Sequence, residues 1–427
     1  MWERFSFYGM RVLLVLYMTD YLLKNDLNAV LGLTGLKNVL EWMHGPLAIQ
    51  PFSSHIYGLY TSLVYLTPVF GGWVADRFFG QRKTVVVGGV LMAVGHFLMA
   101  FESYFLIALI FLIFGNGFFK PNLSTQVGAL YPAGDPRRDR AYNIYYMGIN
   151  LGAMMSPLIC GTLGQKYGWH YGFGAAGVGM VVGLILYMVS QHLLAPDDLH
   201  HDENQGKEAQ PFTQNEWRAM IGLAVLCFLN IIPWCVYEQQ GNTMQLFADR
   251  NTDWHIFGWE MPSTWFQFFN PFFIFALTPL LNMLWAWQDR HNREQSTIIK
   301  MAMGCGFLGL GFLFLIPITS NLGATDRISF LWLIGASLVY TLGEMYFSPV
   351  GLSLVTKVAP ARVVSMMMGV WFLSTFVGNY ISGSYVGPLY DTMTKNSYFF
   401  LLGALAIAAA LSILALNKPI RKAMGNV

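Results

Sequence analysis

Ala195–Asn215 reads APDDLHHDENQGKEAQPFTQN, the longest polar interval in a chain of 427 residues. Apolar stretches dominate on either side of it. The whole chain is 55% hydrophobic and 16% aromatic but only 11% charged, against about 25% charged in a typical soluble domain. So few charges cannot cover a water-facing surface, and the bulk of the chain belongs in lipid. A membrane-crossing helix takes roughly 20 mostly apolar residues. Before the polar interval such stretches fall near 2–23, 52–75, 83–101, 104–130, 141–163 and 171–194. After it they fall near 217–238, 264–287, 298–318, 328–356, 363–388 and 397–416. The expected fold is therefore an all-α membrane protein of twelve transmembrane helices in two six-helix bundles, 1–194 and 216–427, joined by a linker at 195–215. His200-His201-Asp202-Glu203 reads as solvated linker, because nothing else in the loop completes a metal coordination shell.

The charges orient the helices. With the N-terminus inside, the loops after the even-numbered spans and the C-terminal tail hold 16 of the 25 lysines and arginines, and the opposite loops hold six. Basic residues collect on the cytoplasmic side, so both termini are expected there. The net charge of +2 gives no reason to expect nucleic acid. Cys160, Cys227, Cys235 and Cys305 lie in apolar stretches without a CxxC pair, the pattern of buried thiols rather than of a disulfide or zinc framework. The start, Met1-Trp2-Glu3-Arg4, has neither a basic leader nor a small-residue cleavage site, so no cleavable signal peptide is expected.

The segment Gly72-Trp73-Val74-Ala75-Asp76-Arg77-Phe78-Phe79-Gly80-Gln81-Arg82-Lys83 joins the second and third spans. Glycine permits a tight turn there, and charges cap the helix ends. It resembles the signature loop of the major facilitator superfamily. Asp289-Arg290 followed by Arg293 repeats it weakly in the second half.

Inside the spans, a central Arg, Lys or Asp costs about 2.5–3.5 kcal/mol on insertion scales, so each needs a reason. Ionisable residues concentrate at Glu3, Arg4 and Arg11 in the first span, Lys120 in the fourth, Glu238 at the end of the seventh and Glu344 in the tenth. Arg4, Tyr8 and Arg11 share one helix face by their spacing. Glu3, a quarter turn from Arg4, is expected to reach a different partner. Two arginines on one face can hold a carboxylate through paired hydrogen bonds, and Glu344 can meet an amine. Together they suit a zwitterion charged at both ends. His96, alone in the third span, reads as a packed, hydrogen-bonded core residue.

Glu3-Arg4-Phe5-Ser6-Phe7-Tyr8-Gly9-Met10-Arg11 resembles the latter part of the ExxERFxYYG motif of the proton-dependent oligopeptide transporter family. Phe114-Gly115-Asn116-Gly117-Phe118-Phe119-Lys120-Pro121-Asn122 and Tyr142–Gly152 are similar to that family's second and third signatures. Further matches are Trp234 with Glu238-Gln239-Gln240-Gly241, Phe269-Asn270-Pro271, Gly343-Glu344 with Ser348-Pro349, and Trp371-Phe372. The resemblance implies a symporter that imports di- and tripeptides; the lack of long loops on the outer side points to a bacterial inner membrane, and a monomer is expected. The proton gradient drives it, without cofactor, metal or catalytic residues. Glu3 and Lys120 would couple the proton. Arg4, Tyr8, Tyr65, Lys120, Asn150, Trp234, Asn270, Glu344 and Trp371 would line the peptide site. Arg11 and Glu238 would pair to close the outer side.

The chain departs from the pattern in places. The motif's first glutamate would precede Met1, Phe7 stands where a tyrosine is usual, and Gly58 stands where animal members carry a proton-linked histidine, with His55 three residues earlier. Proton coupling should therefore rest on carboxylates. A related transporter of nitrate, amino-acid conjugates or peptide-like drugs is the alternative, although Glu344 would repel a simple anion. No nucleophile–base pair or metal set lies within the spans to suggest an enzyme, and no filter-like loop suggests a channel.

Overall fold

The computed structural model describes residues 1–131, 135–194, 212–323, 326–360 and 363–424. Most of the expected linker, 195–211, lies outside them. Among the described residues, every expected span falls on a helix. We number these helices α1 (Trp2–Asp20), α2 (Ile49–Val74), α3 (Gly80–Leu98), α4 (Phe105–Ala129), α5 (Pro136–Ser156, continued to Lys166) and α6 (Trp169–Ser190). The second set is α7 (Gln214–Leu229, resumed over Ile231–Tyr237), α8 (Phe269–Arg290), α9 (Thr297–Leu313), α10 (Phe330–Val358), α11 (Val364–Ile381) and α12 (Lys395–Ala415). Among the described residues, eight helical stretches are long and apolar enough to cross a membrane.

Local chemistry sets the ends. Asp135 caps α5 by accepting the Arg137 amide at 2.8 Å. Hydrogen bonds from the Arg137 side chain hold that exposed carboxyl below its usual range. Thr213 and Glu216 form a reciprocal capping box on α7. After α2 the chain passes through a π-helical turn, Ala75–Phe79, and then reverses at Gly80 with φ of +76°. That left-handed value is what the loop glycine supplies.

One boundary needed correction. The seventh span, expected to end at 238, runs on as a near-continuous helical stretch to Arg250. Glu238–Gly241 tightens into a 3₁₀ turn. Gln239 is held inside the protein: it donates to Ser382 O and Oγ at 2.9 Å, and Thr243 donates to it at 2.9 Å. A polar run that pairs internally does not have to leave the membrane.

The chain forms two compact units, Met1–Gly206 with His255–Pro271, and Lys207–Trp254 with Phe272–Val427. His255–Pro271, which the division by sequence puts in the second group, packs with the first. There Gln165 donates to Ser263 at 2.8 Å and accepts from the Thr264 amide at 3.0 Å. Trp265 Nε1 donates to Thr162 at 2.9 Å.

Each unit uses the same packing device. In the first, α3 and α4 meet at Gly88 and Gly115: a methyl on Gly88 would lie 2.8 Å from Gly115 O and from Phe119 N. In the second, α9 and α10 meet at Gly304 and Gly343: a methyl on Gly304 would lie 2.7 Å from Gly343 O and 2.8 Å from Phe347 N. Gly115 and Gly343 are each followed six residues later by a proline inside the helix, Pro121 and Pro349. Similarly, a methyl on Gly152 of α5 would sit 2.9 Å from Phe5 N and 3.2 Å from Arg4 Cβ. One on Gly378 of α11 would sit 3.2 Å from Cys235 N and 2.7 Å from Trp234 Cβ. Both α5 and α11 then pass into π-helical turns, Pro157–Gly161 and Ser382–Val386. The two groups of six are thus internal repeats, in which Arg4 corresponds to Trp234 and Asn116 to Glu344.

Candidate substrate and proton site

Within the first unit, α1 carries the charges. Arg4 Nε donates to Glu3 Oε2 at 2.6 Å and Nη2 to Oε1 at 2.5 Å, a two-pronged pair between adjacent residues. Both side chains are buried, at 7% and 6% exposure. This corrects the expectation that Glu3 reaches a different partner. Adjacent helix positions diverge by about 100°, but both side chains are long enough to curl together. A buried charge is tolerable only when it is paired and hydrogen-bonded.

Other elements complete the cluster. Asn116 of α4 donates to Glu3 Oε1 at 3.4 Å. One turn further along α4, the Lys120 ammonium lies 4.9 Å above the Tyr65 ring of α2, within electrostatic reach of Arg4 and Glu3. The Arg4 guanidinium lies 5.0 Å from the Phe7 ring centre, within electrostatic reach of Tyr8 and Tyr145. The ring stacking supplies cation–π attraction where Phe7 lacks a tyrosine's hydroxyl. Asn150 of α5 donates to Tyr146 O of its own helix at 3.0 Å. Toward the other end of α1, Arg11 Nε donates to the Tyr57 hydroxyl at 2.9 Å. The fold thus brings Glu3, Arg4, Tyr8, Tyr65 and Lys120 together, with Arg11 two turns further along α1.

Asn116, Tyr57 and Tyr145 escaped the sequence reading because neutral polar residues carry no charge signal. Asn116 could have been found from its position four residues before Lys120, on the same helix face.

Of the remaining expected residues, Trp234, Glu238, Glu344 and Trp371 belong to the second unit and Asn270 to the first. Glu238 is buried at the start of the 3₁₀ turn, and Trp234, also buried, meets Phe347 edge-on at 5.1 Å. Glu344 is half-buried on α10. Trp371, at 1% exposure, fills the face of Gly351 in the hydrophobic core of the second unit. Asn270 opens α8 in the segment that packs with the first unit. His96 corrects a further expectation. It is fully buried, yet neither ring nitrogen has a hydrogen-bond partner among the described residues.

Two repeated six-helix groups with buried ionisable residues on facing helices define a multi-pass membrane transporter. The comparisons narrow this. The profile of the POT family matches residues 82–205 and 201–402, and the chain belongs to that family. It is 32% identical to an uncharacterized transporter, YclF, of Bacillus subtilis, over 100% of this chain and 93% of the relative. It is 31% identical to a di-/tripeptide transporter of Lactococcus lactis subsp. cremoris, over 100% of this chain and 95% of the relative. A crystal structure of a mutant peptide transporter POT in complex with alafosfalin superposes with a TM-score of 0.84 at 30% identity, over 99% of this chain and 93% of that one.

Proposed function

We propose that this protein is a proton-coupled symporter that imports di- and tripeptides through the bacterial plasma membrane, with both termini cytoplasmic. The buried two-pronged Glu3–Arg4 pair with Lys120 in reach is the observation that carries the reading. A carboxylate group of a peptide competes for the same guanidinium fork, which matches carboxylate geometry. When the peptide takes Arg4, Glu3 loses its cation. An unpaired buried charge costs several kcal/mol, and Glu3 relieves that cost by binding a proton. Substrate and proton are thereby linked through an exchange of partners. Arg4 and Lys120 meet the carboxylate end, with Tyr8 and Tyr65 lining the pocket. Asn150, Asn270 and Glu344 serve the amino end, with Trp234 as apolar wall. Arg11 and Glu238 hold the outer side shut while the inner side opens.

The test is uptake of a labelled dipeptide into liposomes holding the purified protein, with and without an inward proton gradient. Accumulation is expected only with the gradient. No uptake and no exchange from folded protein would overturn the peptide assignment.

A further inference from the structure

Tyr60 of α2 is 1% exposed and sits one turn from Tyr57 on the same helix. Its ring stacks on Phe7 at 6.4 Å with the planes 26° apart, and Arg4 lies against that same Phe7 ring. The Tyr60 hydroxyl is within electrostatic reach of three charged groups of α1: Arg11, Arg4 and Glu3. Yet it has no hydrogen-bond partner among the described residues, whereas the neighbouring Tyr57 hydroxyl is taken by Arg11. Two more buried polar atoms close to Glu3 share this condition. Ser6 Oγ lies one turn along α1, and Asn116 Oδ1 belongs to the amide that donates to Glu3. An unpartnered buried hydroxyl costs stability, and a phenylalanine would fill the same space without that cost. Orphaned polar atoms gathered on three helices around one carboxylate suit a water-bridged path.

Resting on the proton coupling proposed above, we infer that the Tyr60 hydroxyl relays protons between the Arg11–Tyr57 end of α1 and Glu3. A hydronium arriving from the Arg11 side forms a new O–H bond to the Tyr60 oxygen. At the same time the original Tyr60 O–H bond breaks, and its proton passes to the Glu3 carboxylate, directly or over one water. Water and a carboxylic acid result, and the phenol is neutral before and after. Ser6 and Asn116 orient the water.

The experiment compares Tyr60→Phe with wild type in liposomes, reading gradient-driven dipeptide accumulation and peptide exchange side by side. The ratio of driven uptake to exchange should fall tenfold or more in Tyr60→Phe. An unchanged ratio overturns the relay, and so does parallel loss of both activities by folded protein, which would mean that the hydroxyl serves peptide binding. If Tyr60→Phe does not fold, 3-fluorotyrosine at position 60 keeps the ring and hydroxyl but makes the phenol a stronger acid. A shifted pH profile of driven uptake then supports the relay, and an unmoved profile overturns it. Wild type that shows no gradient-driven accumulation overturns the functional reading and the relay with it. Wild type that accumulates, matched by Tyr60→Phe, overturns the relay alone.

Discussion

Glu3 and Arg4 hold each other in a buried, two-pronged pair. Glu3→Gln keeps the shape of the side chain and removes its charge, so it should abolish proton-driven uptake while exchange of peptide for peptide continues. Loss of both activities, with the melting temperature unchanged, would remove Glu3 from coupling. His96 makes a contrasting case. Both of its ring nitrogens are buried without partners, and an unsatisfied buried polar group costs about 1–3 kcal/mol. His96→Leu should therefore raise the melting temperature and leave transport intact; a lower melting temperature would show that the ring has a polar partner after all. The charges were legible in the sequence because an ion in an apolar stretch stands out. How they pair was not, since spacing along a helix does not say where a long, flexible side chain will fold back.

Helix placement was legible for a related reason. Twenty apolar residues between polar ones leave little choice of element, and in lipid the backbone must bond to itself. What escaped were the places where helices change pitch. The π-helical turns of α5 and α11 and the continuation of α7 past Glu238 depend on neighbours distant in sequence, such as Ser382 for Gln239. The glycine contacts allow a controlled test on one helix. In α9, a methyl at Gly304 would press on backbone atoms that cannot give way, whereas one at Gly306 meets nothing within 4 Å. Gly304→Ala should lose about 1–3 kcal/mol, and Gly306→Ala should be neutral or gain about 0.5–1 kcal/mol from helix propensity. Thermal melting of the two variants decides this, and equal melting temperatures would refute close packing as the role of Gly304.

At the scale of the molecule, the bias of basic residues makes a testable claim about sidedness. His255–Ile256 and Trp259–Glu260 pair as a short antiparallel hairpin between α7 and α8, whose tip carries the fully exposed Phe257. The tail carries Lys418, in the helix Asn417–Ala423. The four native cysteines are buried and give little background. In intact cells a membrane-impermeant maleimide should label Phe257→Cys and spare Lys418→Cys until the membrane is opened. Labelling of both from outside would reverse or break the proposed orientation.

The paired glycines and prolines recur in both halves, whereas the positions beside them do not: Arg4 answers to Trp234, and Asn116 to Glu344. Adhesion between helices and recognition of cargo are therefore written in separate letters of the sequence. A lineage built on such a plan can rewrite what it carries, one side chain at a time, without renegotiating how it folds. In this scaffold, new cargo should be sought through substitutions at the second set of positions, with the first left alone.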